Sequence, residues 1–210
     1  MKDRPRLTRQ ERRLRLLAAG RQLFGERGYL KTEVGELARR AGVTKPILYD
    51  HFPNGKTEVF IAVLDEHVQR LLKVLWEAMS SSEDPRQRLH DGLGAYVKFA
   101  DENPEGFRLL MQSAAEVDHS VWLHLHDARN VIVQGLASTI GDVMRARSID
   151  PTGAPIYAHA LLGAVESVVG WWLAEGKPDR ETVTDYLLAF TWRGFDGLPR
   201  DPSRFHKAEN

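Results

Sequence analysis

Within eight residues, Thr44, Lys45, Pro46, Tyr49 and His51 bring together two hydroxyls, an ammonium, an imidazole and an apolar ring. Hydroxyl, cationic and imidazole groups set in a row suit the phosphates of a nucleic-acid backbone, and a lysine beside a proline ring suits base edges. The other groups that could carry chemistry are less organised. His119, His124 and His126 invite a metal site, but residues two apart in a helix lie on nearly opposite sides, so His124 and His126 do not share an ion. No acid completes a set with them at ligand spacing. The chain has no cysteine, which excludes disulfides, thiolate metal sites and a cysteine nucleophile. No serine sits in a nucleophile-elbow pattern, and the adjacent carboxylates Asp65-Glu66 and Asp101-Glu102 read as solvated helix faces. The expectation is a protein that is not an enzyme and uses neither metal nor cofactor.

The outward row requires a short helix held by its opposite face. Ile47, Leu48 and Phe52 supply that face, Thr44 stands at the capping position, and Pro46 is tolerated in the first turn, where its missing N–H would have been unpaired. Upstream, Val34, Leu37, Ala38 and Ala41 recur at three- and four-residue spacing, and Gly42 ends that helix with a residue suited to the left-handed region. Val43 fills the inside of the turn. Two helices joined so tightly form a helix-turn-helix. Thr8 with Glu11 predicts a capping box at the head of a longer preceding helix, with Leu14, Leu17, Ala18, Arg21 and Phe24 on one face and Gly28 at its end. Arg9, Arg12, Arg13 and Arg15 make the start of this helix positive, each taken singly reading as a solvated surface residue.

The run Phe24-Gly25-Glu26-Arg27-Gly28-Tyr29, then Thr32, Leu37-Ala38, Ala41-Gly42-Val43-Thr44-Lys45 and Leu48-Tyr49-Asp50-His51-Phe52 resembles the DNA-binding domain of the TetR (tetracycline repressor) family of bacterial regulators. The resemblance implies an all-α fold: a three-helix DNA-binding domain with a basic N-terminal arm in residues 1–57, a connecting helix beginning near 56, a helical effector-binding and dimerisation domain over 58–198, and a flexible tail over 199–210. It implies DNA contact through Thr32, Thr44, Lys45, Pro46, Tyr49, His51 and Lys56. Family members usually place two residues between the Phe and the Lys, whereas here there are three, Pro53, Asn54 and Gly55. Many also carry a second threonine and a basic or polar residue where this chain has Glu33 and Gly35. Glu33 complements a helix N-terminus but repels phosphate.

The net charge of zero conceals an asymmetry. Residues 1–60 hold 14 Lys and Arg against 7 Asp and Glu, and the rest hold 15 against 22, so the basic half is the half with the helix-turn-helix. A polyanion partner requires positive charge there. Forty-two per cent apolar and 28% charged residues, no apolar run near the length of a membrane span and no hydrophobic stretch behind the Arg-rich start together lead to the expectation of a cytoplasmic protein without a membrane partner.

Beyond the boundary at Ser80–Pro85 the pattern is helical throughout. Tyr96, Phe99, Phe107, Met111, Trp122, His126 and Trp171 mix aromatic and sparse polar groups in a way that suits a largely apolar effector pocket, and suits a plain core as well. From Pro155 to Ala174 nearly every position is apolar or small, which predicts a helix buried on all sides. The family resemblance implies that the last two helices pair with their twofold mates, through Leu161, Val165, Val168, Trp172, Leu187 and Phe190. The expected function is transcriptional regulation by a homodimer on double-stranded operator DNA, as a repressor released by a small effector of unknown identity. Two other readings stay open: an activator of the same fold, and a helical carrier or enzyme whose helix-turn-helix is only structural.

Overall fold

In the first turn of the chain's first helix, the Thr8 hydroxyl accepts the Glu11 amide and the Glu11 carboxylate accepts the Thr8 amide at 2.7 Å. This is the reciprocal box expected from the sequence, and the same bonds hold the Glu11 carboxyl below its usual pKa. The computed structural model describes residues 7–111 and 119–196. The expected arm, apart from Leu7, and the expected tail lie outside them. The elements are α1 (Arg9–Arg27), α2 (Val34–Ala41), α3 (Lys45–His51), α4 (Lys56–Met79), α5 (Pro85–Glu102), α6 (Pro104–Leu110), α7 (His119–Ala146), a 3-10 turn (Pro151–Gly153), α8 (Ala154–Glu175) and α9 (Arg180–Asp196). No strand occurs among the described residues, so the fold is all-α.

The chain forms two compact units, and neither follows a single cut in sequence. Residues 1–69 and 105–126 make the first. Leu16, Leu23, Phe24, Leu37, Leu48, Phe52, Phe60 and Leu64 are fully buried in its core, together with Leu109 and Val121 from the stretch that the sequence assigned to the effector domain. Phe24 meets Phe60 edge-on at 4.8 Å, and Tyr29 lies 4.9 Å from the same ring. Leu14 is exposed, contrary to its expected place on the inward stripe of α1. The reason is the line of contact: α4 approaches α1 at Gly20, where Val59 and Val63 lie against the backbone, so the buried face centres on Leu16, Gly20, Leu23 and Phe24. Trp76, near the end of α4, is also exposed.

Residues 70–104 and 127–210 make the second unit, in which α5 packs on α8 and α9, and α8 packs on α9. Ion pairs between its helices include Arg88 to Asp142 at 3.0 Å, Arg129 to Glu166 at 2.6 Å and Arg180 to Asp101 at 3.3 Å. Burial raises the Glu166 pKa while Arg129 opposes the rise. The expectation that α8 is buried on all sides is not met within one chain. Ala158, Leu162, Val165, Val169 and Trp172 are buried, whereas Ile156 and Trp171 on the opposite face are 72% and 54% exposed. By length and composition alone, Pro151–Glu175 is apolar enough to cross a membrane, which also corrects the expectation that no run came near that length.

Phe60→Ala is expected to destabilise the chain by about 3–5 kcal/mol, because it empties the position on which Phe24 and Tyr29 converge. Chemical denaturation measures this, and a loss below about 1 kcal/mol would show that the site collapses and that the core does not depend on that ring.

Candidate nucleic-acid interface

The turn between α2 and α3 depends on Gly42. Its φ of 70° is in the left-handed region, and the Val43 amide then reaches back to the Ala38 carbonyl at 2.9 Å. The turn aims α3 away from α2, with Leu48 and Phe52 fully buried beneath it and the Arg13 guanidinium lying 4.5 Å over the Phe52 ring. Thr44, Lys45, Pro46, Tyr49 and Asp50 are left exposed. Thr44 has the extended backbone of a capping residue, yet its side chain makes no capping bond, so the hydroxyl is not consumed by the helix. Lys45 and Tyr49, one turn apart, lie on one face of α3.

The three residues before Lys56 are absorbed in a tight turn. The Gly55 amide donates to the Phe52 carbonyl at 2.8 Å, and the Asn54 amide donates to the Glu58 carboxylate at 3.0 Å. Gly55 has a φ of 61°, and a Cβ there would stand 3.1 Å from the Tyr49 ring. The insertion thus supplies a flat backing for Tyr49.

Two of the expected DNA contacts have partners inside the domain. Thr32 is only 1% exposed, and its hydroxyl donates to the Gly28 carbonyl at 2.8 Å, a lock on the α1–α2 connection. The Lys56 ammonium donates to the Tyr29 carbonyl at 3.0 Å and lies 4.2 Å over the Tyr29 ring, and burial lowers its pKa. Lys56 therefore fastens the start of α4 to the loop after α1. His51 is half-buried in a cleft of about 320 Å³ lined by Arg9, Arg12, Ile47, Asp50 and His51 itself. Burial first, and then Arg9, Arg12 and Arg13, push the imidazole pKa down, with Asp50 opposing the shift.

The sequence reading took each of those arginines singly as a solvated surface residue. Arg9, Arg12 and Arg13 stand at three- and four-residue spacing on the first turns of α1, which was the available signal that they act together. Arg12 donates to the Leu7 carbonyl at 2.9 Å while its buried Nε has no partner.

The expected effector residues divide between the units. Phe107, Met111, Trp122 and His126 belong to the first and Tyr96, Phe99 and Trp171 to the second. Tyr96, Phe99 and Phe107 are buried, and burial together with the Glu166 carboxylate raises the Tyr96 pKa. Trp122 stacks between His119 and His126 at 5.9 and 5.1 Å on an exposed face of α7, and His124 instead pairs with Asp65 at 2.6 Å. No cluster of three or more metal-ligating side chains occurs among the described residues. Of the expected pairing residues, Val165, Trp172 and Leu187 are buried within their own chain, and the Trp172 indole donates to the Pro178 carbonyl at 2.6 Å. Phe190 is 68% and Tyr186 76% exposed, so the exposed large apolar side chains of α8 and α9 are Ile156, Trp171, Tyr186 and Phe190. Trp171 is on the surface and not in a buried pocket.

A short helix held by two buried side chains, opening on an uncapped threonine and presenting a lysine and a tyrosine from one face, is the reading element of a helix-turn-helix DNA-binding domain. Comparison with known proteins agrees. Residues 16–63 match the sequence model described as "Bacterial regulatory proteins, tetR family", and residues 85–194 match "Tetracyclin repressor-like, C-terminal domain". The HTH-type transcriptional activator FasR of Mycolicibacterium smegmatis is 30% identical over 195 residues, covering 92% of this chain and 87% of FasR. A TetR-like transcriptional regulator from Rhodococcus sp. RHA1 superposes with a TM-score of 0.74 at 24% identity, over 92% of this chain and all of that one. AibR, solved with isovaleryl coenzyme A and operator DNA, superposes with a TM-score of 0.70 at 19% identity, over 85% of this chain and 97% of that one. The chain belongs to the TetR family of bacterial transcriptional regulators.

Two substitutions separate a contact from a support. Arg9→Ala is expected to lower the slope of log affinity against log salt by about one, the signature of one lost phosphate contact. An unchanged slope in anisotropy titrations at several salt concentrations would remove Arg9 from the interface. Thr32→Val is expected to leave that slope alone and to lower stability by about 1–2 kcal/mol on chemical denaturation, since it strands the Gly28 carbonyl.

Proposed function

We propose that the protein is a one-component regulator that binds a near-palindromic operator as a homodimer and is released by a largely apolar effector. The observation that carries the reading is the exposed face of α3, where Lys45 and Tyr49 project together beside the free Thr44 hydroxyl and the Pro46 ring. Thr44 and Tyr49 grip phosphates and set the register. Lys45 meets acceptors on base edges, and Pro46 packs against a thymine methyl. Arg9 and Arg12 add phosphate contacts from α1 around His51. Thr32 and Lys56 brace the domain from behind.

The exposed apolar face of α8 and α9 supports pairing of two chains. Four large side chains more than half exposed on neighbouring helices make the kind of surface that a second copy buries. Two heads then meet successive major grooves with centres roughly 34 Å or somewhat more apart. The same fold in AibR carries isovaleryl coenzyme A and operator DNA, so effector and operator are compatible with this architecture. Tyr96 and Phe99, buried in the second unit, remain the effector contacts that fit an apolar ligand. A cytoplasmic location goes with this function.

Repression is the default outcome when a bound dimer blocks a promoter. Activation is the second reading, and one observation favours it: FasR, similar along nearly the whole chain, is named an activator. The difference lies in where the operator stands relative to the promoter.

Anisotropy titration of the full chain against the intergenic DNA beside its own gene, at two salt concentrations, is expected to give saturable binding that excess competitor leaves intact and that weakens steeply with salt. Weak binding indifferent to sequence would overturn the reading. Phe190→Glu is expected to shift the sedimenting species from dimer to monomer and to lower operator affinity with it; a wild-type chain that sediments as a monomer would remove the homodimer.

A further inference from the structure

The family pattern usually puts a basic or polar side chain where this chain has Gly35, in the first turn of α2. A Cβ built on Gly35 would lie 3.0 Å from Cε of Lys45 and 3.5 Å from its Nζ. The end of the lysine therefore rests on the backbone of α2, in the space that any other residue would fill. Nothing in the local stability of α2 calls for glycine. Glycine in a helix is disfavoured against alanine by roughly 0.5–1 kcal/mol, and no left-handed backbone is involved, since Gly35 is absent from the residues with positive φ.

We propose that Gly35 is a positioning residue for DNA reading: by leaving a seat in α2 for the end of Lys45, it sets which base-edge acceptors that lysine reaches. This rests on the DNA-binding reading above and goes further by assigning a share of sequence preference to a residue that touches no base. A free lysine side chain loses rotamer freedom when it is fixed on DNA, so one already seated loses less on binding. The seat itself holds the ammonium only loosely. The N-terminal end of a helix carries partial positive charge, so Nζ gains when a guanine O6 or N7 comes within reach. Glycine at 35 thus guides the lysine without trapping it. An added methyl group would meet only the flexible end of a side chain, so the fold tolerates it while the lysine is displaced.

The test uses the full-length protein, its intergenic duplex, and duplexes carrying single base-pair changes across one half-site. Wild type, Gly35→Ala, Lys45→Met and the double variant are titrated by anisotropy and melted thermally. Gly35→Ala is expected to melt at or above the wild-type temperature, to bind the preferred duplex about 5–10-fold more weakly, and to change the ranking of the duplexes at one or two positions. In the Lys45→Met background, Gly35→Ala is expected to have no further effect. Wild-type affinity and ranking in Gly35→Ala would overturn the proposal, and so would a loss that persists undiminished in the Lys45→Met background. If the wild-type chain itself ranks no duplex above another, the DNA-binding reading fails first and the proposal falls with it.

Discussion

A seven-residue helix has almost no stability of its own, because nucleation fixes several backbone torsions for few hydrogen bonds. That α3 exists at all is due to Leu48 and Phe52, both fully excluded from water in the core of the first unit. Those two positions set which way the remaining residues face. Once Leu48 is inward, Lys45 and Tyr49 are outward, and the i, i+4 spacing brings them onto one stripe. The supports around the helix serve this orientation. Gly42 sets its entry, Arg13 covers the Phe52 ring, Gly55 backs Tyr49, and Lys56 and Thr32 secure the loop between α1 and α2 from behind.

Much of this was legible in the sequence because it is local. The Thr8–Glu11 box, the glycine stops at Gly28 and Gly42, the helix boundaries and the inward Leu48 and Phe52 follow from spacing and residue type alone. What was not legible is the direction of polar side chains with two uses. A threonine hydroxyl serves a phosphate or a stray carbonyl equally well. Only the tertiary path of the chain, which brings the Gly28 carbonyl to Thr32, decides between them. Lys56 is the same case, since its ammonium finds a carbonyl and an aromatic face from a loop 27 residues earlier. Leu14 was misplaced for another reason: periodicity identifies an apolar stripe but not the line along which a neighbouring helix touches it.

The electrostatics of the first unit favour an anion without relying on every basic group. His51 belongs to the family pattern, yet its partial burial and then the arginines of α1 lower its pKa and disfavour the imidazolium. In the proposed complex, charge for the phosphates then comes from Arg9, Arg12 and Arg13 on the first turns of α1. An imidazolium is repelled by the same arginines, so the basic start of α1 and the lowered pKa of His51 go together. Asp50, on the rim of the same cleft, keeps it from being uniformly positive and restricts where a phosphate can sit.

The α8 helix shows how far a single chain carries the argument. Its composition is apolar enough for burial on every side, but in one chain only the face with Leu162, Val165, Val169 and Trp172 is covered. The opposite face is made of small residues, Ala160, Gly163, Ser167, Gly170 and Ala174, flanked by Ile156 and Trp171. Small residues let helices approach closely, and large ones at the margins supply contact area, so such a face fits another helix better than it fits water. Tyr186 and Phe190 of α9 extend the apolar surface of the same unit. Leaving four large apolar side chains in water is unfavourable by about 25 cal/mol for each Å² exposed. That free energy favours association, and in the proposed homodimer it is the term that holds two reading heads at a set spacing.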